Sequence, residues 1–168
     1  AQLVLGLVEP QSSGLGGGGF FLHWDQAEET LKAYDGRETA PAAAKPERFM
    51  RAGAPMPWPE AAHSGLSIGT PGIPRLLEHA HKAHGKLPWS RLFQPAIRLA
   101  REGFEVSPRL YYMLRWFGAG MFAPDARAYF FDTTGSPRPI GHPLKNPAYA
   151  ATLEALAKDG AAAFYAGP

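Results

Sequence analysis

The sequence predicts an α+β chain, rich in helix and opened by one β-hairpin. Three observations carry this. Apolar residues recur at helical spacing behind cap-then-proline signals, such as Ser107-Pro108 and Asn146-Pro147. Two short apolar and aromatic runs flank a polar turn near the start of the chain. Gly and Pro, 19 and 17 of 168 residues, lie between periodic segments rather than in a repeat.

Taken in order, residues 1–8 read as the last two turns of a buried helix ended by Pro10, its earlier turns lying outside the sequence. Residues 19–24 suit a buried strand, 25–29 a polar turn, and 30–34 the second strand of the hairpin. Residues 40–59 hold five prolines and read as a long loop, with one helical turn around 46–51. Thr70 then reads as an N-cap with Pro71 at the first helical position. Behind it Ile73, Leu76, Leu77 and Ala80 share a face, and Gly85 closes the helix. A second helix is expected from near Pro88 to Gly103, with Leu92, Ala96, Leu99 and Ala100 inward. Ser107-Pro108 opens a helix over 110–116 and Asn146-Pro147 another over 149–158, with a last turn at 161–165. The stretch 123–143 is mixed, and 128–131 reads as an edge strand.

Composition excludes several function classes. The formal charge is +2, with the basic residues scattered and mostly single, so no cluster forms a phosphate-neutralising patch. Without cysteine, disulfides, thiolate metal sites and a Cys nucleophile are ruled out. No apolar run approaches the ~20 residues that span a bilayer.

The densest chemical signal is Gly14 and Gly16 to Gly19, five glycines in six positions between Pro10 and Phe20. Each glycine loses roughly 0.5–1 kcal/mol relative to Ala on folding, so a constraint must offset several kcal/mol here. A phosphate cradle fails on context. The order is helix, glycines, strand, and no Lys follows the last glycine. Tight backbone packing beside an active site is the better account.

Arg37, in Tyr34-Asp35-Gly36-Arg37-Glu38-Thr39-Ala40-Pro41, leaves the second strand where a sheet can aim a side chain into a cleft. A guanidinium fork is the natural receptor for a carboxylate. On spacing alone, a salt bridge to Asp35 or Glu38 is the plainer reading. His79, His81 and His84 lie close together, but no carboxylate is placed to complete a metal site, and a solvated helix face accounts for them. The serines Ser12, Ser13, Ser64 and Ser67 lack any nucleophile-elbow motif.

The pattern Glu9-Pro10-Gln11, the glycine run with Phe20, and Arg37-Glu38-x-Ala40-Pro41 at the strand end resembles the large subunit of γ-glutamyltransferase. Ser67 to Gly72 is similar to that family's Gly-Thr-Pro-Gly segment, and Phe93 to Phe104 to its Gln-Pro-Ala helix. Asp159-Gly160 with Phe164 to Gly167 resembles the segment after a later helix. The resemblance covers essentially the whole chain. It implies a precursor that cleaves itself into large and small subunits, which together form the αββα four-layer sandwich of the N-terminal-nucleophile hydrolases. Residues 1–168 would be a single segment of the large subunit, without its opening helices, its C-terminal part and the small subunit. The nucleophile would be the new N-terminal Thr of the small subunit, attacking the γ-amide of glutathione or a related γ-glutamyl compound. The resemblance gives Arg37 the substrate α-carboxylate, reversing the reading from spacing. It implies no cofactor or metal, no nucleic acid, no membrane span in this segment, and a periplasmic or extracellular location. None of the threonines Thr30, Thr39, Thr70, Thr133, Thr134 and Thr152 stands in an autocleavage context, so no catalytic nucleophile is assigned to this chain and alone it is expected to be inactive. Two alternatives stay open: an amidohydrolase acting like a glutaryl-cephalosporin acylase, and a non-catalytic binding protein that has kept the fold.

Overall fold

Helical periodicity becomes helix over about half of the chain in the computed structural model, which describes residues 1–166. Gly167 and Pro168, the end of the Phe164–Gly167 stretch, lie outside the described residues. The chain divides into two compact units, Gly16–Leu76 and the remainder, Ala1–Leu15 with Leu77–Pro168. With one long hairpin and otherwise mostly helix, the fold is α+β, as the sequence predicts.

In the smaller unit β1 (Gly19–Asp25) pairs antiparallel with β2 (Thr30–Gly36), Gly19 opposite Gly36 and Asp25 opposite Thr30. Asp25 Oδ1 accepts from the Ala27 and Glu28 amides and so closes the polar turn. Residues 40–69 form an excursion pinned at its neck by an isolated bridge between Thr39 and Thr70. Inside it, the 3₁₀ turn Pro46–Phe49 replaces the expected helical turn. A small hairpin follows, β3 (Met50–Arg51) against β4 (Ala54–Pro55), and then α2 (Trp58–His63). The small hairpin escaped the sequence reading because Ala52 adopts φ 50 beside Gly53 at φ 81, and alanine carries no turn signal for that region.

Helix α3 (Ile73–His84) begins three residues after Thr70. Thr70 is therefore not the predicted N-cap: its amide and carbonyl serve the bridge to Thr39. The helix start is satisfied by Gly17, whose carbonyl accepts from the Gly72 and Ile73 amides at 3.0 and 3.1 Å. Ile73, Leu76 and Ala80 are buried, as their spacing predicts.

In the larger unit α1 (Gln2–Val8) buries Leu3 and Leu7. The expected single helix from Pro88 is broken into a 3₁₀ turn, Trp89–Leu92, and α4 (Gln94–Glu102). Pro95 has no N–H and cannot continue a helix through that point. The break leaves Leu92 exposed and makes Phe93 and Ile97 core residues instead, beside Ala96 and Ala100. Next come β5 (Phe104–Glu105), α5 (Pro108–Phe117) and α6 (Pro124–Phe130). The predicted edge strand at 128–131 is therefore the last turn of a helix, and only Phe131 makes an isolated bridge, to Pro137. Pro124 at the first helical turn starts α6, and Phe122 stacks on Phe130 and Phe131, overriding the aromatic strand preference. The unit ends with β6 (Pro143–Leu144), which pairs with β5, then α7 (Pro147–Asp159) and α8 (Ala162–Tyr165). The core gathers where α4 packs between α7 and α1, around Phe93, Ala100, Leu153 and Leu156. Trp89 locks the 3₁₀ turn to α7 by donating Nε1–H to the Leu156 carbonyl at 2.8 Å. Among the described residues no helix is long and apolar enough to cross a membrane.

Candidate functional site

Arg37 is the first residue beyond β2, and the backbone around it is held by contacts that only glycines permit. A Cβ at Gly36 would meet the Leu76 side chain at 2.6 Å, so the strand end lies directly on the start of α3. A Cβ at Gly72 would run into the Gly36 carbonyl oxygen and sit 3.1 Å from that of Arg37. From the glycine run, a Cβ at Gly18 would meet Glu38 Oε2 at 2.5 Å, the Glu38 amide at 2.6 Å and the Gly36 carbonyl at 2.7 Å. Gly69 comes within 3.0 Å of Glu38 Cβ in the same sense. Gly18 of the polyglycine loop thus packs its backbone directly against residues 36–38. Asp35 Oδ1 accepts from the Arg37 amide at 2.9 Å, and Thr39 is tied to Thr70, so both flanks of Arg37 are fixed.

The side chains are arranged differently from the backbone. Arg37 Nη1 lies 3.1 Å from Glu38 Oε2, with Arg37 61% exposed and Glu38 30% exposed. This is the salt bridge that spacing alone favours, while Asp35 serves the backbone of Arg37. The guanidinium is open to solvent. An ion pair this open is worth about 0–1 kcal/mol. It engages one of the five donors of the fork, leaving the others for an incoming carboxylate. Glu38 Oε2 is itself shielded from solvent without a hydrogen bond of good geometry, so Arg37 is its charge partner.

Elsewhere the larger unit holds a cavity of about 490 Å³, lined by α1, α6 and the start of α7, with Asp125, Tyr129, Lys145 and Asn146 among its walls. Desolvation pushes the phenol of Tyr129 up to about 12. Of the clustered histidines, His81 packs its ring on Trp89 and its Nε2 lies 2.8 Å from the Leu87 carbonyl. No group of three or more His, Cys, Asp or Glu is gathered as a metal site among the described residues.

Sequence reasoning finds Arg37 but not the glycines that seat it. The glycine run signals a close approach without naming what approaches, and Gly72 reads there only as part of a helix opening. Its true partner, the Gly36 carbonyl, lies 36 positions away in the chain and leaves no local trace.

The family model for gamma-glutamyltranspeptidase matches residues 1–168. Scoloptoxin SSD14 of Scolopendra dehaani is 40% identical over 98% of this chain, and glutathione hydrolase 2 of Arabidopsis thaliana 39% identical over 99%. In both cases the chain spans 28% of the relative's length. The crystal structure of Helicobacter pylori gamma-glutamyltranspeptidase superposes on 98% of this chain with a TM-score of 0.90 at 29% identity, using 47% of that chain.

Proposed function

The chain belongs to the gamma-glutamyltranspeptidase family and has the fold of the matching part of those N-terminal-nucleophile hydrolases; on that premise we propose that it forms part of the large subunit of a γ-glutamyl hydrolase or transferase and that Arg37 holds the substrate's α-carboxylate. The observation that carries this is the seating of Arg37. Its backbone is fixed on both sides and by packed glycines, while its guanidinium is open to solvent and lightly paired.

In this reading two nitrogens of the fork bind the α-carboxylate of glutathione or a related γ-glutamyl compound. That fixes the amino-acid end of the substrate and sets the γ-amide, several bonds away, at the reacting centre. The N-terminal Thr of a small subunit cut from the same precursor supplies the nucleophile. Its Oγ bonds to the γ-carbonyl carbon, the amide C–N bond breaks, and the departing amine takes the hydroxyl proton. Water or a second amino acid then displaces the threonine oxygen. No residue of this chain enters those covalent steps.

Arg37→Ala in the complete, processed protein tests the assignment. Two charge-assisted hydrogen bonds at ~1.5–3 kcal/mol each correspond to a loss of a hundredfold or more in kcat/KM on a γ-glutamyl anilide. Efficiency equal to wild type would remove Arg37 from the site. Turnover of a glutaryl anilide beside the γ-glutamyl one separates this function from a cephalosporin-acylase-like one, because a guanidinium reads the shared carboxylate and ignores the α-amino group.

A further inference from the structure

We infer that the hydroxyls of Thr39 and Thr70 are a second point of attachment for the substrate's α-carboxylate, an inference that rests on Arg37 being its receptor. Burial alternates along the chain here. Asp35, Arg37 and Thr39 are exposed, while Gly36 and Glu38 between them are half-buried. That is the period of extended backbone, so Arg37 and Thr39 leave the same face, about 7 Å apart along the chain. Glu38 turns the other way, towards Gly18 and Gly69. Thr70 is exposed as well and stands directly opposite Thr39 in the antiparallel bridge. Opposed residues of such a pair share a face. One guanidinium and two hydroxyls therefore open to solvent side by side.

The backbone of the pair is fixed while its hydroxyls stay available. Thr39 donates its amide to the Thr70 carbonyl at 3.3 Å, and Thr70 donates its own to the Thr39 carbonyl at 2.8 Å. Gly69 lets the two segments close, since a Cβ there would stand 3.1 Å from the Thr39 carbonyl oxygen. Opposed threonines on a sheet can bond to each other. Here neither hydroxyl is engaged by another group among the described residues. Threonine is branched at Cβ and stiff at χ1, so binding leaves it little rotamer freedom to lose. A carboxylate offers about four lone-pair sites, and a fork gripping with two nitrogens fills two of them. Hydroxyl hydrogens rotate to suit and serve the others.

The experiment uses the complete, processed protein, with KM for a γ-glutamyl anilide and Ki for free glutamate measured beside thermal midpoints. Valine has the shape of threonine without the hydroxyl, and serine keeps the hydroxyl without the methyl. Thr39→Val combined with Thr70→Val is expected to raise KM and Ki roughly tenfold, with kcat within about twofold. Thr39→Ser combined with Thr70→Ser is expected to stay within about twofold of wild type, because the donors remain. In an Arg37→Ala background the valine pair is expected to change kcat/KM by about threefold at most, since the carboxylate it serves is no longer anchored. Wild-type KM and Ki in the valine pair would overturn the inference. So would an equal rise in the serine pair, which would implicate shape rather than the hydroxyl, or an undiminished effect without Arg37. If the valine pair does not assemble, Thr39→Val alone decides, with an expected rise in KM of about threefold. Arg37→Ala with wild-type kcat/KM would refute the receptor reading itself, a result separate from those of the threonine variants.

Discussion

Tyr149 donates its hydroxyl to the Leu3 carbonyl at 3.0 Å, and a Cβ on Gly6 would reach that oxygen at 2.6 Å, so the phenol fills the join between α1 and α7. Burial pushes its pKa, and that of Tyr129, from 10.0 to about 12. The fold accommodates the neutral phenol. Below pH 10 folded and unfolded chains both keep these protons and nothing is lost. Above it the unfolded chain releases them while the folded chain cannot, so stability falls as the pH rises from 10 towards 12. Denaturant titrations of the complete protein between pH 9 and 12 are expected to show that fall, and Tyr149→Phe to flatten it. Tyr149→Phe also removes the bond to Leu3, which costs about 0.5–1.5 kcal/mol at neutral pH. An unchanged slope would show that Tyr149 titrates as an exposed phenol. The sequence gives no hint of this role, because the partner of Tyr149 is 146 positions away. Arg37 is legible for the opposite reason: a charged residue leaving a strand next to glycine is a local pattern.

Among the elements, those that local chemistry starts are also those the sequence locates. Ser107 Oγ accepts from the Leu110 amide at 3.0 Å, and Asn146 Oδ1 from the Tyr149 amide at 2.9 Å, each followed by proline in the first turn. The side chain satisfies an amide that the helix cannot, and the proline gives up none that it needs. Ser107→Ala and Asn146→Ala are each expected to lower stability by about 0.5–2 kcal/mol, read from denaturant midpoints at unchanged slope. A variant within a few tenths of wild type would mean that water replaces the cap. Thr70-Pro71 carries the same signal yet caps nothing, since the Gly17 carbonyl already holds the first amides of α3. At 128–131 a run of aromatics suggests a strand, while Pro124 and the packing of Phe122 make it helix. The misreadings share one cause. A partner distant in sequence takes the bond or the surface that the local pattern reserves.

At the scale of the molecule the hairpin gathers exposed apolar side chains into one strip. Phe20 pairs with Asp35, Leu22 with Ala33 and Trp24 with Leu31, so Phe20, Leu22, Trp24, Leu31 and Ala33 share one face. That face is bare: Phe20, Leu22 and Leu31 are 69%, 66% and 62% exposed. The opposite face carries Phe21 against Tyr34 and rests Gly19 and Gly36 on Ile73 and Leu76. An aromatic and aliphatic strip on a two-stranded sheet gains about 25 cal/mol for each Å² that it buries, and a sheet this small does not hold its place without a cover. The chain spans 28% of the length of its curated relatives, and under the proposed function the cover expected for this face is sheet from the rest of the enzyme. The chain alone is therefore expected to associate through this face, its sedimentation coefficient rising with concentration, and Leu22→Glu to suppress that rise. In the complete protein the same face is expected to be interior, so Leu22→Glu is expected to cost about 2–5 kcal/mol there, or to prevent assembly, because it would bury an unpaired carboxylate. The two settings pull one substitution in opposite directions. A monomeric chain together with an unaffected complete protein would show that the strip faces water in both, and that the hairpin holds its place by the glycine contacts alone.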